Sequence, residues 1–211
     1  MAVYRGAVCK LCRREKKKLY LKGQRCLTAK CSYEKRQYPP GQHGQRRGKI
    51  TEYGIQLREK QELKRTVFMT EKQFRIFFRK AEKEEGPTGE NLLIKLECRI
   101  DNVVRRLGLA SSIMQARQMV LHKMIKVNGK ICNVSSSVVK EGDTISVAEK
   151  YKKIEVIKKS LEDAESTGLP EWLNLDTAIL QGTVLRKPTR DEISLVGGDV
   201  KENLIVELYS K

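Results

Sequence analysis

The sequence predicts an α+β fold with a cysteine-bearing N-terminal extension, a mainly helical domain and an inserted domain that joins a helix-turn-helix to a small antiparallel sheet. Three observations predict it. Four cysteines form two closely spaced pairs near the N-terminus, apolar residues then recur at helical spacing, and the pattern finally changes to that of short strands around tight turns. We expect the segments 1–50, 51–90, 91–164 and 165–211, the last of which returns to complete the helical domain.

The charge of the chain is unevenly distributed, with a net charge of +17 over 211 residues. Residues 1–83 hold 24 basic and 7 acidic side chains, whereas residues 84–211 hold 19 of each, so the whole excess lies in the N-terminal part. A polyanion suits such a segment. Nucleic acid is favoured over a membrane because no apolar run approaches the roughly 20 residues of a spanning helix and no lipidation motif is present. The N-terminus lacks a signal peptide, so we expect a cytoplasmic setting in which the six cysteines bind metal or stay reduced.

The paired cysteines predict one structural zinc site. Cys9 and Cys12 form a C-x2-C knuckle, and Cys26 and Cys31 form a C-x4-C knuckle. This spacing suits a single tetrahedral Zn²⁺ held by four thiolates, with no open position for catalysis. The metal would hold the extension rigid so that its cations can meet phosphates. Iron, no metal, or four unrelated buried cysteines are the alternatives.

Residues 36–50 show no periodicity and are rich in glycine and proline, so they predict no regular element of their own. The run "GQRRGK" in this segment is not a phosphate-binding P-loop, because its glycine spacing is wrong and Ile50 stands where Ser or Thr would hold Mg²⁺. Its two arginines, Arg46 and Arg47, are candidates for contact with a nucleic-acid backbone.

Residues 51–86 predict two helices, the second of which opens with a capping box at Thr70 and Gln73. The apolar residues of this second helix recur at i, i+3, i+4 and i+7 and are Phe74, Phe77, Phe78 and Ala81. Phenylalanines could stack on bases, but a helical core is the better interpretation of that spacing.

A single longer helix is predicted over about residues 91–107, with Gly108 as its stop. Its polar residues at i, i+4, i+7 and i+11 would line one face and are Lys95, Arg99, Asn102 and Arg106. A second helix follows Ser112 and places Arg117 inside an apolar arc. Because an unpaired guanidinium would be costly there, Asp101 is the predicted partner of Arg117, and the pair is assigned a structural role.

Beyond this second helix the sequence predicts hairpins. Asn128-Gly129 lies between the apolar-containing runs 125–127 and 130–131, and this dipeptide favours a type I′ turn. A strand over 144–147 and a helix over 151–164 follow. Further strands are expected at 172–175, 183–186 and 204–209, and we expect this tail to pack on the helices of 51–86.

The basic helix pair and the "IKVNGK" hairpin resemble the S-four RNA-binding domain over about residues 95–150. At full length, "PPGQHGQ", "TGENLL", "RIDNVVRRLG", "ARQMVLHKMIKVNGK" and "LIVELYSK" are similar to the bacterial-type ribosomal protein S-four family, in its zinc-bearing form. The resemblance implies an early-assembling protein that binds the 5′ domain of the small-subunit rRNA. It further implies a place near the path by which mRNA enters, and a contact with the fifth small-subunit protein that affects decoding accuracy.

Under this resemblance the basic and polar side chains become candidate RNA contacts. They are Arg13, Arg14, Lys16, Arg46, Arg47, Arg58, Lys60, Lys64, Lys95, Arg99, Arg105, Arg106, Gln118, His122, Lys123, Lys126, Asn128 and Lys130. Residues 160–211 instead hold five basic and ten acidic side chains, so we expect that part to face away from rRNA and to contact protein.

The sequence is compatible with two other function classes, which its residues favour less. An S-four domain also occurs as an appendage on RNA-modifying enzymes, but this chain has no nucleotide loop, no Ser/His/Asp set and only two histidines, so we expect no enzyme. A DNA- or RNA-binding regulator is the other class. Its cations would be concentrated on one recognition helix, whereas here they are spread over several elements, which suits folded RNA better.

Overall fold

The computed structural model describes residues 4–46, 48–165, 168–193 and 200–210. The chain forms two compact units, the first comprising Met1–Leu93 with Ser194–Lys211 and the second comprising Ile94–Ile193. Among the described helices, none has both the length and the apolar character needed to cross a membrane.

The N-terminal part of the first unit contains short helices around the cysteines. These are α1 (Cys9–Glu15), a 3-10 turn (Gly23–Cys26) and α2 (Ser32–Lys35). Leu11 of α1 is buried, and so are Leu19 and Leu21, which lie between α1 and the 3-10 turn. This basic extension therefore has an apolar interior despite its composition. As expected, the described residues between Lys35 and Thr51 form neither helix nor strand.

Four longer helices follow in or from the first unit: α3 (Glu52–Thr66), α4 (Glu71–Glu82), α5 (Thr88–Glu97), which continues into the second unit, and α9 (Glu202–Ser210). Thr51 caps α3 by accepting from the Gly54 N–H at 3.2 Å, and Thr70 caps α4 by accepting from the Gln73 N–H at 3.4 Å. The apolar stripe of α4 is buried, so its interpretation as core is confirmed.

The C-terminal segment differs from its prediction as a strand, because residues 204–209 lie within helix α9. A short apolar run such as "LIVELY" fits either period, and packing decides between them. Ile205 is fully buried, and the Tyr209 ring lies 4.6 Å from the ring centroid of Phe78. Helix α9 also contacts α3. The predicted return to the helical unit is therefore made by this one helix.

The second unit packs helices against one antiparallel sheet. Its remaining elements are α6 (Ile100–Arg106), α7 (Ile113–Leu121), β1 (Ile125–Val127), β2 (Lys130–Cys132), β3 (Thr144–Val147), α8 (Glu155–Glu165), β4 (Leu173–Asp176) and β5 (Gln181–Val184). The strand order is β2-β1-β3-β5-β4, with every neighbouring pair antiparallel. One face of the sheet supplies Ile125, Ile145 and Val147 to the core, and the other is mostly polar apart from the exposed Ile131.

The long helix predicted over 91–107 is interrupted. Arg99 has extended backbone angles (φ −69°, ψ 139°) and forms a bridge with Val138. The Ile100 N–H donates to the Ser137 carbonyl at 2.8 Å, and the Val139 N–H donates to the Cys98 carbonyl at 2.9 Å. These bonds to the loop after β2 replace helical ones, so α5 ends at Glu97 and α6 begins at Ile100.

Strands β4 and β5 belong to the second unit rather than to the segment that returns to the helical unit. Strand β5 pairs with β3 through Thr144–Thr183 and Ser146–Gln181, which removes an edge that β3 would otherwise expose. Trp172, directly before β4, is fully buried in the core of this unit. The predicted boundary at residue 164 therefore falls inside the second unit, which extends to Ile193.

Candidate nucleic-acid interface

Two arginines of the second unit converge on one buried carboxylate. Arg99 donates through Nε and Nη2 to the two oxygens of Asp101 at 3.0 and 2.7 Å. Arg117 donates through Nε and Nη2 to Asp101 Oδ2 at 3.0 and 2.6 Å, which is the pair that its apolar surroundings predict. Because Arg99 is only 1% exposed, its assignment as an RNA contact is wrong, and it instead joins α6 to α7 through Asp101.

Glu97 holds a second cluster. Its carboxylate accepts from Arg106 Nε and from Asn102 Nδ2, the latter at 2.8 Å. Arg106 is therefore mostly buried and directed into the unit, so its place in the predicted polar face is also wrong. Lys95 is half-buried on α5, whereas Arg99 lies at the break between the helices and Asn102 and Arg106 lie on α6. The predicted face depended on an unbroken helix, and the break at Arg99 removes it.

Arg105 remains a candidate contact at the end of α6, since it is partly exposed and no hydrogen bond or ion pair holds its side chain within the described chain. Burial, reinforced by neighbouring Arg106, lowers the pKa of Arg105 to about 10. The side chain therefore stays a cation at neutral pH.

Polar residues stand in the last part of α7, just beyond it and along the β1–β2 hairpin, and of these Lys126 is half-buried and the others are exposed. We call this set, Gln118, His122, Lys123, Lys126 and Lys130, the hairpin surface. Lys123 adopts a left-handed conformation (φ 61°) just beyond the end of α7. Lys126 lies on the polar face of the sheet, paired across the strands with Ile131 and Ser146. None of the three lysines has an ion-pair partner among the described residues.

Asn128, also a candidate RNA contact, uses its side chain to hold the hairpin turn. Asn128 and Gly129 have φ angles of 50° and 75°, as the predicted type I′ turn requires. The side-chain oxygen of Asn128 accepts from the Thr144 N–H at 2.9 Å, and its Nδ2 donates to Asp143 at 2.7 Å. These bonds tie the turn to β3 and fix the backbone next to Lys130.

The candidate cations of the N-terminal extension differ in their exposure and in whether they bind other groups of the chain. Arg14, Lys16 and Arg46 are exposed. Arg13 donates through Nε to the Tyr38 carbonyl at 3.0 Å and lies 4.9 Å from the centre of the Tyr38 ring, so it anchors the segment that follows α2. Arg47 lies outside the described residues.

The candidates on α3 are engaged by acids of the same unit. Lys60 and Lys64 each lie 2.8 Å from an oxygen of Glu71, and Lys60 is only 6% exposed. The assignment of Lys60 as an RNA contact is therefore wrong. Burial alone would raise the pKa of Glu71, but hydrogen bonds from Lys60, Lys64 and Tyr209 lower it to about 2. In the same way Arg58 lies 3.2 Å from the buried carboxylate of Glu15, which also binds Arg65.

The four cysteines predicted to bind zinc are all free thiols. Cys12, Cys26 and Cys31 are buried and Cys9 is half-exposed. Burial raises the pKa of the Cys12 thiol, and the charges that Cys26, Cys9 and Cys31 would carry raise it further, so these sulfurs are close enough to interact. Within the described residues, however, no group of three or more His, Cys, Asp or Glu side chains has the arrangement of a metal site. The donor chemistry suits zinc, whereas the ligating geometry is not formed.

One group of cations escaped the sequence analysis. The sequence pattern of helix α4 predicts its buried phenylalanines, yet the opposite side of the helix carries four exposed basic residues at the complementary helical spacing, Lys72, Arg75, Arg79 and Lys80. The same periodicity that marks the core would have revealed this basic side.

Comparison with known proteins bears directly on this arrangement. Residues 3–97 match the family described as "Ribosomal protein S4/S9 N-terminal domain", and residues 98–145 match the "S4 domain". The chain belongs to the uS4 family of small-subunit ribosomal proteins. The boundary between the two matched regions coincides with the break between α5 and α6, so the uS4 sequence division is visible in the backbone.

Relatives in the uS4 family match over the full length of both chains. The protein named "Small ribosomal subunit protein uS4" from Desulfatibacillum aliphaticivorans is 53% identical over 211 residues, covering 100% of each chain. The proteins of the same name from Halothermothrix orenii and Thermodesulfovibrio yellowstonii are 53% and 50% identical with the same coverage. The resemblance to the ribosomal protein family inferred from the sequence is confirmed, and the zinc-bearing form stays a prediction. Because uS4 is a structural, non-enzymatic family, the chain is not an enzyme.

Proposed function

We propose that this uS4 family member is a primary rRNA-binding protein, which binds the 5′ domain of the small-subunit rRNA and helps to nucleate assembly of the subunit body. The hairpin surface is the observation that carries the proposal. Three lysines without ion-pair partners in the described chain stand on rigid elements beside a histidine and a glutamine, and side chains of this kind suit phosphate and ribose groups.

Side-chain bonds within the second unit support the same role. Asp101 joins the start of α6 to the middle of α7, and Asn128 joins the hairpin turn to β3. The lysines therefore lie on elements whose positions are set before RNA arrives, so binding orders little besides the side chains themselves. Recognition of a folded RNA by shape needs such fixed spacing between cations.

The test is binding of the full chain to a transcript of the 5′ domain of small-subunit rRNA at several salt concentrations. Replacing Lys123, Lys126 and Lys130 by glutamine should weaken binding and reduce the salt slope by roughly 2 to 3, because each lost phosphate contact removes a little under one unit. The matched control replaces the same lysines by arginine and should retain the slope. An unchanged slope in the glutamine variant would show that these lysines are merely solvated.

We further propose that Cys9, Cys12, Cys26 and Cys31 hold one structural Zn²⁺. Four free thiols, three of them buried, that influence one another electrostatically have the donor chemistry that zinc prefers. When bound, zinc would cross-link α1 to the loop before α2. Protein purified without chelator should contain one zinc per chain, a Cys12→Ser, Cys26→Ser variant should lose it, and Cys132→Ser should keep it. Absence of zinc from the unaltered protein would refute the site.

We also propose that the acidic C-terminal part contacts the fifth small-subunit protein. This contact would affect decoding accuracy near the path of the incoming mRNA. Asp199 lies outside the described residues, and a Cβ on Gly89 would meet Glu202 at 2.6 Å, so Glu202 is packed too closely to serve as a probe. Glu162 and Asp191 are exposed. Changing both to lysine should loosen the protein contact and alter misreading while leaving rRNA affinity nearly intact. The reverse pattern would reject this assignment.

A further inference from the structure

The second unit contains a pocket of about 200 Å³ between the end of α6, helix α8 and strand β4. Arg106, Gly168 and Thr177 line part of it. The rest of its described lining is apolar and consists of Leu107, Leu161, Ala164, Leu169 and Leu175. Because a dry cavity of about 150 Å³ can hold benzene, a pocket of this size accommodates a ligand of about six to eight non-hydrogen atoms.

The inner wall of the pocket is held by close packing. Gly108 has a φ angle of 74°, and a Cβ built on it would meet the Cβ of Ala164 at 2.5 Å, so α8 lies directly against the turn after α6. Leu107 is buried, and its Cδ2 would lie 2.5 Å from a Cβ built on Gly182 of β5. Neither wall can move inward without a clash, so the pocket is formed before any ligand arrives.

Arg106 is the only charged residue among the described residues that line the pocket. Its Nε donates to the Glu97 carboxylate, whereas its Nη2 is buried and has no hydrogen-bond partner within the described chain. A guanidinium nitrogen without an acceptor is unfavourable in an apolar setting. A ligand oxygen that reaches this end of Arg106 would therefore gain a hydrogen bond that the fold itself does not supply.

The charge around Arg106 favours an anion. Arg105 lies close enough to Arg106 for the two charges to repel each other, and Glu97 offsets only one of them. None of the described residues that line the pocket is acidic. Among anions, a carboxylate suits this end of the guanidinium because its two oxygens match the spacing of the two Nη groups.

We propose that this pocket binds a small aliphatic carboxylate, whose charged group pairs with Arg106 and whose hydrocarbon chain lies against Leu161 and Leu169. Burial of the exposed Leu169 side chain by the ligand contributes the apolar part of the affinity. A phosphate ester fits less well, because a single cation among leucines cannot replace its hydration. The site lies apart from the hairpin surface in sequence, and it does not depend on the proposed binding of rRNA.

The probe is hexanoate, added to the full chain while the methyl resonances of Leu161, Leu169 and Leu175 are followed by NMR. Hexanoate should shift these resonances with saturation at one ligand per chain. Hexanol keeps the hydrocarbon chain but lacks the charge, and acetate keeps the charge but lacks the chain. Each should bind roughly tenfold or more weakly than hexanoate, because each lacks one of the two contributions.

Leu169→Glu places a like charge beside the bound carboxylate and removes an apolar wall. The position is exposed, so the variant should keep the thermal unfolding of the unaltered protein and lose hexanoate affinity by about tenfold or more. Leu185→Glu is the matched control, since Leu185 is an exposed leucine of the same unit that does not line the pocket, and it should retain hexanoate binding. Arg106→Gln should remove the preference for hexanoate over hexanol.

Three results would overturn the inference. Equal affinities for hexanoate and hexanol in the unaltered chain would show that Arg106 does not recognise the charge. An equal loss in Leu169→Glu and Leu185→Glu would place the binding outside this pocket. If inorganic phosphate shifts the same resonances as tightly as hexanoate does, the site is a general anion site. In each case the proposed binding of rRNA would be unaffected, because the hairpin surface is tested separately.

Discussion

The second unit contains two sets of cations that look alike in sequence and differ in structure. Arg99, Arg106 and Arg117 lie at the helix pair, and each is held by a buried carboxylate. Lys123, Lys126 and Lys130 lie at the hairpin surface, where no described acid holds them. The planar guanidinium can satisfy several hydrogen bonds in a buried site, whereas the compact, strongly hydrated ammonium is better kept in water. The arginines therefore stabilise the helix pair from within, whereas the lysines remain accessible to a partner.

Removing the shared carboxylate tests the arginine side of this comparison and should give the largest effect. Asp101→Asn keeps the shape of the side chain but leaves Arg99 and Arg117 without a compensating charge in a buried site. The free energy of unfolding, measured with urea, should fall by about 3 to 5 kcal/mol. At the salt concentrations where the variant is still folded, its salt slope for RNA should be unchanged. Glu162→Gln, an exposed acid on α8, is the control and should have almost no effect.

A loss of less than about 0.5 kcal/mol in Asp101→Asn would contradict the structural role of the cluster. A lowered salt slope with intact stability would instead place Arg99 or Arg117 at the RNA.

The cluster around Glu71 in the first unit offers a test by pH. Hydrogen bonds from Lys60, Lys64 and Tyr209 lower the folded-state pKa of Glu71 from its usual value to about 2. Its contribution to stability is therefore present above about pH 4.5 and lost as the pH falls toward 2. Because the carboxylate is 35% exposed, solvent screening limits that contribution to about 1 to 2 kcal/mol.

Glu71→Gln should accordingly be less stable than the unaltered protein at pH 7, by about that amount, and the difference should shrink as the pH is lowered through 4.5. Urea unfolding of both proteins at a series of pH values measures the difference directly. A gap that stays constant down to pH 3 would mean that Glu71 is not ionised in a stabilising network.

Much of the fold followed from local patterns, and the departures share one physical cause. The apolar stripe of α4 and the Asn128-Gly129 turn follow from spacing, because neighbours along one element or turn decide them. The Asp101–Arg117 pair between α6 and α7 was predictable because the apolar arc around Arg117 requires a nearby acid. The break at Arg99 was not predictable, because it depends on backbone bonds to Ser137 and Val139, nearly 40 residues away. The pairing of β5 with β3 likewise joins segments distant in sequence, and the contact of Lys60 with Glu71 joins two different helices. Periodicity shows which side chains are polar but not which of them find a partner.

Asn128 belongs to neither set of cations. The sequence predicts that it contacts RNA, whereas in the structure its side chain supports the hairpin turn. Asn128→Ala removes its bonds to Thr144 and Asp143 and places at φ 50° a residue that adopts the left-handed region less readily than asparagine, which should cost about 1 to 2 kcal/mol of unfolding free energy. RNA affinity should fall because the hairpin is less well fixed, whereas the salt slope should stay the same. Asn128→Gly tolerates the turn but also lacks the bonds, so it separates the two contributions. A large loss of RNA affinity in Asn128→Gly together with unchanged stability would instead show that the Asn128 side chain contacts the RNA directly.

The smallest expected effect on stability is at Lys130, and it gives the clearest contrast with Asp101. Lys130 is exposed on β2, beyond the turn, and no described residue forms an ion pair with it. Lys130→Gln should change the free energy of unfolding by no more than about 0.5 kcal/mol, because only a solvated charge is removed. The salt slope for RNA should nevertheless fall by about one, as expected for one lost phosphate contact. Lys130→Arg keeps the charge and should keep the slope. If Lys130→Gln changes neither quantity, the hairpin surface is confined to Lys123 and Lys126, whereas a large loss of stability would mean that Lys130 has a buried role like that of the arginines.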